Sequence, residues 1–408
     1  MRFNLRNMLG LAAKSTTPEG GAGQDRRQAT SLIIRKAKVR AKKDIDTWRS
    51  ALKIAEKIPD PRRYKLLEQY DDAVLDGHLH GQMQKRKQRT LASRFNVYNS
   101  SGEPDEELTR LFKAPWFGKL LNHALDSIFW GHSLIEIKKV EALSNAKGGI
   151  LDVQLVPREH VCPEDGLLLK NPTDSSGINY REFPDFQGWL FETPDHGDLG
   201  LLNKALPHFI YKKFGTSGWS EYSDLFGMPL RVGKTNTQDP KMIAQLQRMM
   251  DNQGSAPYVI IDESEQLEFV ETTRGDGGVF KGLIELANSE ISKLINGSVM
   301  GEADQGGSRS KEEVAERSQF ELSQMDKEWL ENWINYHVFP ILIQHGYPLD
   351  GATFEYEEQK DIQQLWRMTH DAMQYYSVDE AWIDETFGIP VTGERQTNTV
   401  NPSQNADG

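Results

Sequence analysis

The apolar positions in the first third of the chain recur at helical spacing. They do so between about residues 32 and 95, where a second helix runs through 66–83, and again over 105–130. Because one face of an α-helix returns every three to four residues, this pattern predicts amphipathic helices packed on a core. Gly131 follows the last apolar position of the helix over 105–130 and is expected to end it.

In the middle of the chain, apolar residues recur at every second position. SLIEIKKVEA, which begins at Ser133, alternates apolar and polar residues, and short apolar runs follow at 151–155, 167–169 and 188–193. Alternation over a few residues is typical of strands with one face on a core. We therefore predict a β-rich region over about 131–200.

Helical spacing returns at Leu201 and stops at FGMP, residues 226–229. A compact unit is predicted after it, composed of a strand (LRVG), a helix over 239–250, and two strands (YVIID and QLEFVET). The stretch TRGDGG that follows is predicted to be a flexible hinge, because glycine tolerates many backbone conformations.

Two long helices are predicted next. A stripe of apolar residues at helical spacing runs from Val279 to Val299, and a second helix is predicted over 311–344. The segment between them, GEADQGGSRS, has three glycines and no large apolar residue. Ser310 with Glu313 three positions later suggests a capping box at the start of the second helix. A strand (TFEYEE) and further helices complete the chain before a polar tail, 396–408, that is predicted to be disordered.

These elements predict an α+β protein with two or three packing units in 408 residues. Hydrophobic residues make up 38% of the chain, so most of it should fold. No apolar run approaches the 18 residues of a membrane span. The single cysteine, Cys162, allows no intramolecular disulfide, which fits a reducing compartment.

Charge is unevenly distributed along the chain. The net charge is −12, yet residues 1–50 carry 12 Lys and Arg against 4 Asp and Glu, a local charge of +8. A flexible basic arm is therefore predicted over 1–30. It indicates either a local contact with nucleic acid or an acidic partner, or a solvated tail.

No residue pattern argues for catalysis, and no metal site or cofactor is predicted. The loop at 301–311 lacks the Lys-Ser/Thr pair of a phosphate-binding loop and follows a helix instead of a strand. His78 and His80 lack further ligands at fixed spacing, so a surface or packing role is favoured. Cys162 is interpreted as a small buried hydrophobe, and the acidic run at 355–361 as a solvated face.

Five segments in a specific order have the pattern of one known family. They are YDDAVLDGHLHGQMQKRKQRTLASRFNV (70–97), LFKAPWFGKLLNHALDSIFWGHSLIEIKKVE (111–141), YSDLFGMPLRVGK (222–234), ELANSEISKLINGSVMGEADQGGSRSKEEV (285–314) and YYSVDEAWIDETFGIPVTGE (375–394). Through these segments the chain resembles the portal proteins of Mu-like tailed phages, within the wider portal superfamily.

The resemblance implies a twelve-membered ring at one capsid vertex, through which double-stranded DNA is packaged and ejected. It implies the portal fold, with a mainly helical wing and crown, a β-rich wing insert, a two-helix stem and a small α+β clip. The implied map is a wing (31–202), first stem helix (203–227), clip (228–272), second stem helix (273–300), tunnel loop (301–310), long inner wing helix (311–350) and C-terminal wing and crown (351–395). The implied partners are the major capsid protein, the terminase large subunit and a head–tail adaptor. The location is the virion, after assembly in the host cytoplasm.

The resemblance also assigns residues to the DNA channel. The expected tunnel-loop residues are Gly301, Glu302, Asp304, Gly306, Gly307, Ser308, Arg309 and Ser310; the inner helix contributes Glu312, Glu313 and Glu316; and Phe226, Gly227 and Pro229 form the clip junction. Basic channel walls would bind phosphates and release counterions, so an acidic wall suits DNA that must slide. The alternative for the inner helix is an ordinary solvated helix surface. The alternative for residues 301–310 is an ordinary flexible connection between two helices.

Two other classes of protein stay open at this point. One is a different ring-forming head–tail adaptor, although adaptors are usually shorter; the other is an enzyme with a site in the β-rich region. In a ring, Trp329, Trp333 and Phe339 of the long helices are expected to pack between subunits, as in obligate assemblies.

Overall fold

The computed structural model describes residues 44–144, 147–226, 231–236, 238–252, 258–262, 264, 278–298, 309–357 and 362–389. The chain divides into a large unit up to Tyr356 and a small C-terminal unit from Glu357. The helices are α1 Ile45–Ala55, α2 Tyr64–Ala73, α3 Gly77–Leu91, α4 Glu106–Phe112, α5 Pro115–Trp130, α6 Gly200–Phe226, α7 Pro240–Asp251, α8 Gly278–Asn296, α9 Arg309–Trp333, α10 Phe339–Gln344, α11 Ile362–Ala372 and α12 Glu380–Phe387. The strands are β1 Phe95–Tyr98, β2 Leu134–Ser144, β3 Lys147–Leu155, β4 Val161–Cys162, β5 Leu167–Leu168, β6 Ile178–Asn179, β7 Leu190–Glu192, β8 Arg231–Thr235, β9 Tyr258–Asp262 and β10 Thr353–Tyr356. This mixture of helices and sheets confirms the predicted α+β class.

Helix α5 lies at the centre of the main core. Its apolar face, which includes Phe117 and Leu120, packs with β1, β2, β3, β10 and the end of α9. The helix begins with Pro115 at its first position and ends at Gly131, which adopts the left-handed conformation at φ +85°. The predicted end is confirmed. The single helix predicted over 105–130 is wrong, because proline cannot donate to the preceding turn and therefore starts a second helix.

The helix predicted through 66–83 is likewise two helices, α2 and α3. Asp76 ends the run and caps α3, since its carboxylate accepts a hydrogen bond from the Leu79 N–H at 2.9 Å. Helices α1, α2 and α3 form a second core with the first half of α6 and the end of α8. The N-terminal helices therefore anchor both long helices of the middle of the chain.

A buried ion-pair cluster joins α3 to α5. Lys87 contacts Asp126 at 2.5 Å, and Arg158 lies 3.8 Å from the same carboxylate. Although burial favours the protonated acid, the His123 imidazole 3.8 Å away and these two cations hold the pKa of Asp126 below its ordinary value. The pairing fixes α3 against the main core.

Two three-stranded antiparallel sheets make up the β-rich region. The order in the first is β3-β2-β7 and in the second β4-β5-β6. The alternating run at 133–142 and the short apolar runs after it are found as strands, which confirms those predictions. Strand β7 pairs with the start of β2, with Leu134 opposite Glu192, so the end of this sheet lies beside the loop that enters α6.

The segment between α6 and α8 contains a β-α-β unit. Strands β8 and β9 are parallel, with Arg231 opposite Tyr258 and Thr235 opposite Asp262, and α7 connects them. Parallel neighbours need such a crossover. A Cβ on Gly233 would lie 2.8 Å from Leu246, so glycine lets α7 approach β8. The third predicted strand, QLEFVET, lies outside the described residues.

The long helix α9 continues through a π-helical turn, Ile334–Val338, into α10. In this turn the Asn335 side-chain amide donates to the Phe354 carbonyl at 3.0 Å and accepts from the Phe354 N–H at 2.8 Å. The residues that face the core along this stretch include Leu330, Ile334, Val338 and Leu342, all of which are buried. The turn thus attaches the helix to β10.

The expectation that Trp333 and Phe339 pack between subunits is wrong. Trp333 is 2% exposed and Phe339 is 3% exposed within a single chain. The Trp333 indole donates to the Glu192 carbonyl at 2.8 Å, and Trp329 stacks on Trp333 while it packs against the main core. The main core of this chain is large enough to cover these rings by itself.

The C-terminal unit contains α11 and α12 among its described residues. Phe387 packs edge-on against Trp366 and Trp382, with ring centroids 4.9 and 5.6 Å apart. Gly388 ends α12 in the left-handed conformation at φ +63°. Across the described parts of both units, no helix is both long enough and apolar enough for a bilayer span.

Candidate functional site

Helices α6 and α8 form a close pair that brackets the β-α-β unit. A Cβ on Gly218 would lie 2.7 Å from the Phe280 ring, and one on Gly215 would lie 3.3 Å from Leu283. Two glycines one turn apart therefore let the helices approach at this point. Val279, by contrast, is 77% exposed in the single chain.

The start of the segment between α8 and α9 is defined by Gly297. Gly297 ends α8 at φ +70°, and its N–H donates to the Lys293 carbonyl at 2.9 Å. A Cβ at this position would lie 2.6 Å from the Ser318 hydroxyl of α9, so both the backbone angle and the space require glycine. The Asn296 amide donates to the Gln82 side-chain oxygen at 2.6 Å, which holds the end of α8 on α3.

Arg86 of α3 joins both flanking helices. Its guanidinium donates to the two Asp326 carboxylate oxygens at 2.8 and 2.7 Å, and also to the Ile295 carbonyl at 3.0 Å. The side chains of Arg86 and Asp326 are only 13% and 6% exposed. A bidentate pair is directional as well as strong, so α8 and α9 are held in a fixed relation on either side of residues 299–308.

Acidic side chains predominate among the exposed residues of α9. Glu316, Glu321 and Glu328 are exposed, and Arg317 is paired with Glu321 at 3.2 Å. Asp326 also belongs to the acidic pattern of this helix, but it is buried and neutralised by Arg86. Over 315–333, where the structure describes the burial of α9, the exposed side chains thus offer little to bind phosphates.

The predicted channel residues fall partly within the described chain. Gly301, Glu302, Asp304, Gly306, Gly307 and Ser308 lie outside the described residues, as do Gly227 and Pro229 of the clip junction. Phe226 is the last residue of α6. Glu312 and Glu313 lie in α9, and Glu316 is exposed on it.

Arg309 and Ser310 are the first two residues of α9. Their placement in the loop 301–310 is therefore wrong, and Ser310 is not the N-cap of a helix that begins at 311.

Several residues of this site were not predicted from the sequence. Arg86 lies in a run of basic residues, a pattern typical of the solvated end of a helix. Its partner Asp326 is 240 positions away. Only the glycine at 297, which follows the buried stripe of α8, carried a local signal for a helix end. The apolar pattern predicts a helix that runs to Val299, whereas α8 ends at Asn296.

The sequence of the chain is similar to those of known proteins. A family described as the portal protein of Mu bacteriophage matches residues 67–389. The portal protein of Escherichia phage Mu is 26% identical over 382 residues, which cover 85% of this chain and 72% of that protein. Mu-like prophage FluMu protein gp29 of Haemophilus influenzae is 24% identical over 254 residues, which cover 56% of this chain and 46% of that protein. Because the family match spans more than half of the chain, the chain belongs to the family of portal proteins of Mu bacteriophage.

Proposed function

We propose that this chain is the subunit of a twelve-membered portal ring through which double-stranded DNA enters and leaves a phage capsid. Membership of the Mu portal family is the observation that carries the proposal. The close pair of α6 and α8, which brackets a β-α-β unit, supports a stem with a clip at its end. The role is structural and not enzymatic.

The proposed map of the subunit is the one that the resemblance implies, with the loop shortened to end before α9. Residues 203–227 and 273–300 are proposed to form the stem, 228–272 the clip, and 301–308 the loop that projects toward the DNA. The wing is 31–202 with the long helix over 311–350, and 351–395 form the C-terminal wing and crown. In the single chain no residue of α7 is buried, which suits a unit that completes its core in a ring.

The surface charge of α9 supports passage of DNA instead of its capture. Over 315–333, the part of α9 whose burial the structure describes, Glu316, Glu321 and Glu328 are exposed, and the exposed Arg317 is paired with Glu321. Each phosphate contact would add salt-dependent affinity and slow movement along the channel. Glu312, Glu313 and Glu316 are proposed to line the channel near the loop.

The proposed partners are the major capsid protein, the terminase large subunit and a head–tail adaptor, in a virion assembled in the host cytoplasm. The basic segment that ends at Lys43 has a net positive charge, which fits a contact with a neighbouring subunit or the capsid protein. This segment lies outside the described residues.

Electron microscopy of the purified full-length chain tests the proposal. We expect closed rings with a central channel, with the β-α-β unit at the narrow end. Closure distinguishes a ring from a filament, since a head-to-tail interface that does not close gives open helices. A stable monomer at micromolar concentration, or rings with residues 240–262 buried inside the wing, would contradict it.

A further inference from the structure

Two histidines and a glutamate meet at the end of the first sheet. His132 precedes β2, Glu192 is the last residue of β7, and His196 lies in the loop that leads into α6. One nitrogen of each imidazole and one oxygen of the carboxylate lie within 4.8 Å of one another. His132 is 60 positions from Glu192, so no local motif joins all three residues.

Both imidazoles face the carboxylate of Glu192. His132 Nε2 lies 3.1 Å and His196 Nε2 lies 3.3 Å from its Oε1 atom. The same oxygen accepts hydrogen bonds from the Tyr180 hydroxyl and from Arg181, the latter at 2.7 Å. A carboxylate oxygen has about two lone-pair positions, so a metal ion at Oε1 would replace one of these two donors.

The three side chains supply atoms that bind metal ions. An imidazole binds a metal through a nitrogen lone pair, and a carboxylate binds it through an anionic oxygen. Two nitrogen ligands and one oxygen ligand thus face one another in this cluster.

The backbone around His196 is held in place by neighbouring residues. Arg63 donates to the carbonyl of His196 and, at 2.7 Å, to that of Asp198. Gly200, at φ +75°, packs against the end of α5, where a Cβ would lie 2.2 Å from the Phe129 carbonyl. Little ordering of the loop is then required when a ligand binds, which favours affinity.

Solvent reaches this cluster. The His196 side chain is 40% exposed, and Glu192 lines a cavity of about 420 Å³ that Tyr180, Arg181 and Leu134 also line. A cation can therefore enter, and a water can occupy a fourth position beside three protein ligands.

We propose that His132, Glu192 and His196 form a Zn²⁺ site. Two imidazole nitrogens and one carboxylate oxygen are a ligand set that zinc accepts in tetrahedral geometry, with water as the fourth ligand. The metal would tie the first sheet to the loop that enters α6, the proposed stem helix. The site is independent of the portal function.

Arg181 limits the affinity of the site. Its guanidinium also donates to Glu192 Oε2 at 3.0 Å, and Glu192 keeps this contact when Oε1 binds the metal. A nearby positive charge opposes a divalent cation, so we expect weaker binding than at a closed site made of four cysteine thiolates.

Zinc titration of the untagged full-length chain, after treatment with a chelator, tests the proposal. Calorimetry should give one Zn²⁺ per chain, and Co²⁺ should show the visible spectrum of a tetrahedral site. At zinc a hundredfold above Kd, the Tm should rise by about 5 °C. His196→Ala should weaken binding at least tenfold, and His80→Ala, which removes an exposed histidine of α3, should leave it unchanged.

Circular dichroism is used to check that His196→Ala is folded. If it is not, His196→Asn is titrated in its place. Absence of zinc uptake by the unmodified chain overturns the proposal, and shows that the cluster is a hydrogen-bonded ion pair. Equal uptake by the His196 variant and the unmodified chain also overturns it, because the zinc would then be bound elsewhere. Loss of uptake in the His196 variant alone supports it.

Discussion

Replacement of Arg86 by methionine tests how the two helices beside residues 299–308 are held. Methionine keeps most of the length of the side chain but cannot donate. Asp326, whose side chain is 6% exposed, would lose both guanidinium hydrogen bonds, and the Ile295 carbonyl would lose its donor as well. The variant thus leaves a buried carboxylate without its cation.

The Arg86→Met variant is therefore expected to be much less stable than the unmodified chain. Removal of one partner from a buried ion pair typically costs about 3–5 kcal/mol, since the remaining charge stays desolvated. The double variant Arg86→Met with Asp326→Leu removes that charge too, and its stability should return to within about 2 kcal/mol of the unmodified chain. Arg317→Met breaks the exposed pair with Glu321, whose side chains are 81% and 64% exposed, and should cause no measurable change.

Urea unfolding followed by tryptophan fluorescence measures these differences. All four proteins are compared at one chain concentration, because assembly shifts apparent stability by mass action. A loss below about 1 kcal/mol in Arg86→Met, or a double variant as unstable as the single one, would refute the reasoning. In either case Arg86 would not be what fixes α8 to α9.

Three further predictions follow from the same region and from the core. Gly297→Ala should destabilise the chain by about 1–2 kcal/mol because of its positive φ, whereas Gly282→Ala, at an open position in α8, should stabilise it by up to about 1 kcal/mol in thermal melts. The pKa of Asp126 is lowered in the folded chain, so its contribution is present above the unfolded pKa of about 4 and is lost as the pH falls through the folded value. Asp126→Asn should therefore flatten the acid side of a pH–stability profile. Arg309→Glu should leave rings intact and alter DNA retention in packaging assays, through its charge in the first turn of α9.

Each of these has an outcome that contradicts it. Equal melting temperatures for the two glycine variants would show that the left-handed backbone at 297 is not required. An unchanged acid profile in Asp126→Asn would assign acid sensitivity to other carboxyl groups. If Arg309→Glu leaves packaging and retention unchanged, and a Gly-Ser replacement of 301–308 does so as well, residues 301–308 are only a connection.

The elements that the sequence predicts well are those with a local physical cause. Gly131 ends α5 because the left-handed conformation suits glycine, and the alternation from Ser133 predicts β2 because one strand face is buried. The apolar period of residues 105–130 predicts one helix, whereas Pro115 begins a second helix in the structure. Prolines inside periodic runs are therefore better treated as helix starts.

The candidate sites depend on contacts that no local pattern contains. Arg86 and Asp326 are 240 residues apart, and each stands among charged neighbours typical of a solvated helix. The sequence around Trp333 does not show that its indole N–H donates to the Glu192 carbonyl at 2.8 Å. Burial of a charge or a polar ring edge is decided by tertiary packing, and that information is distributed over the whole chain.

The π-helical turn at Ile334–Val338 corrects an angular mismatch. The buried residues Leu330, Ile334, Val338 and Leu342 follow one another at intervals of four. In an ordinary α-helix each interval overshoots a full turn by about 40°, so the last residue would point about 120° away from the first. The wider turn absorbs the excess and keeps one side facing the core. Loss of a single residue there would rotate everything beyond it by about 100°, so the length of this helix is as constrained as its composition.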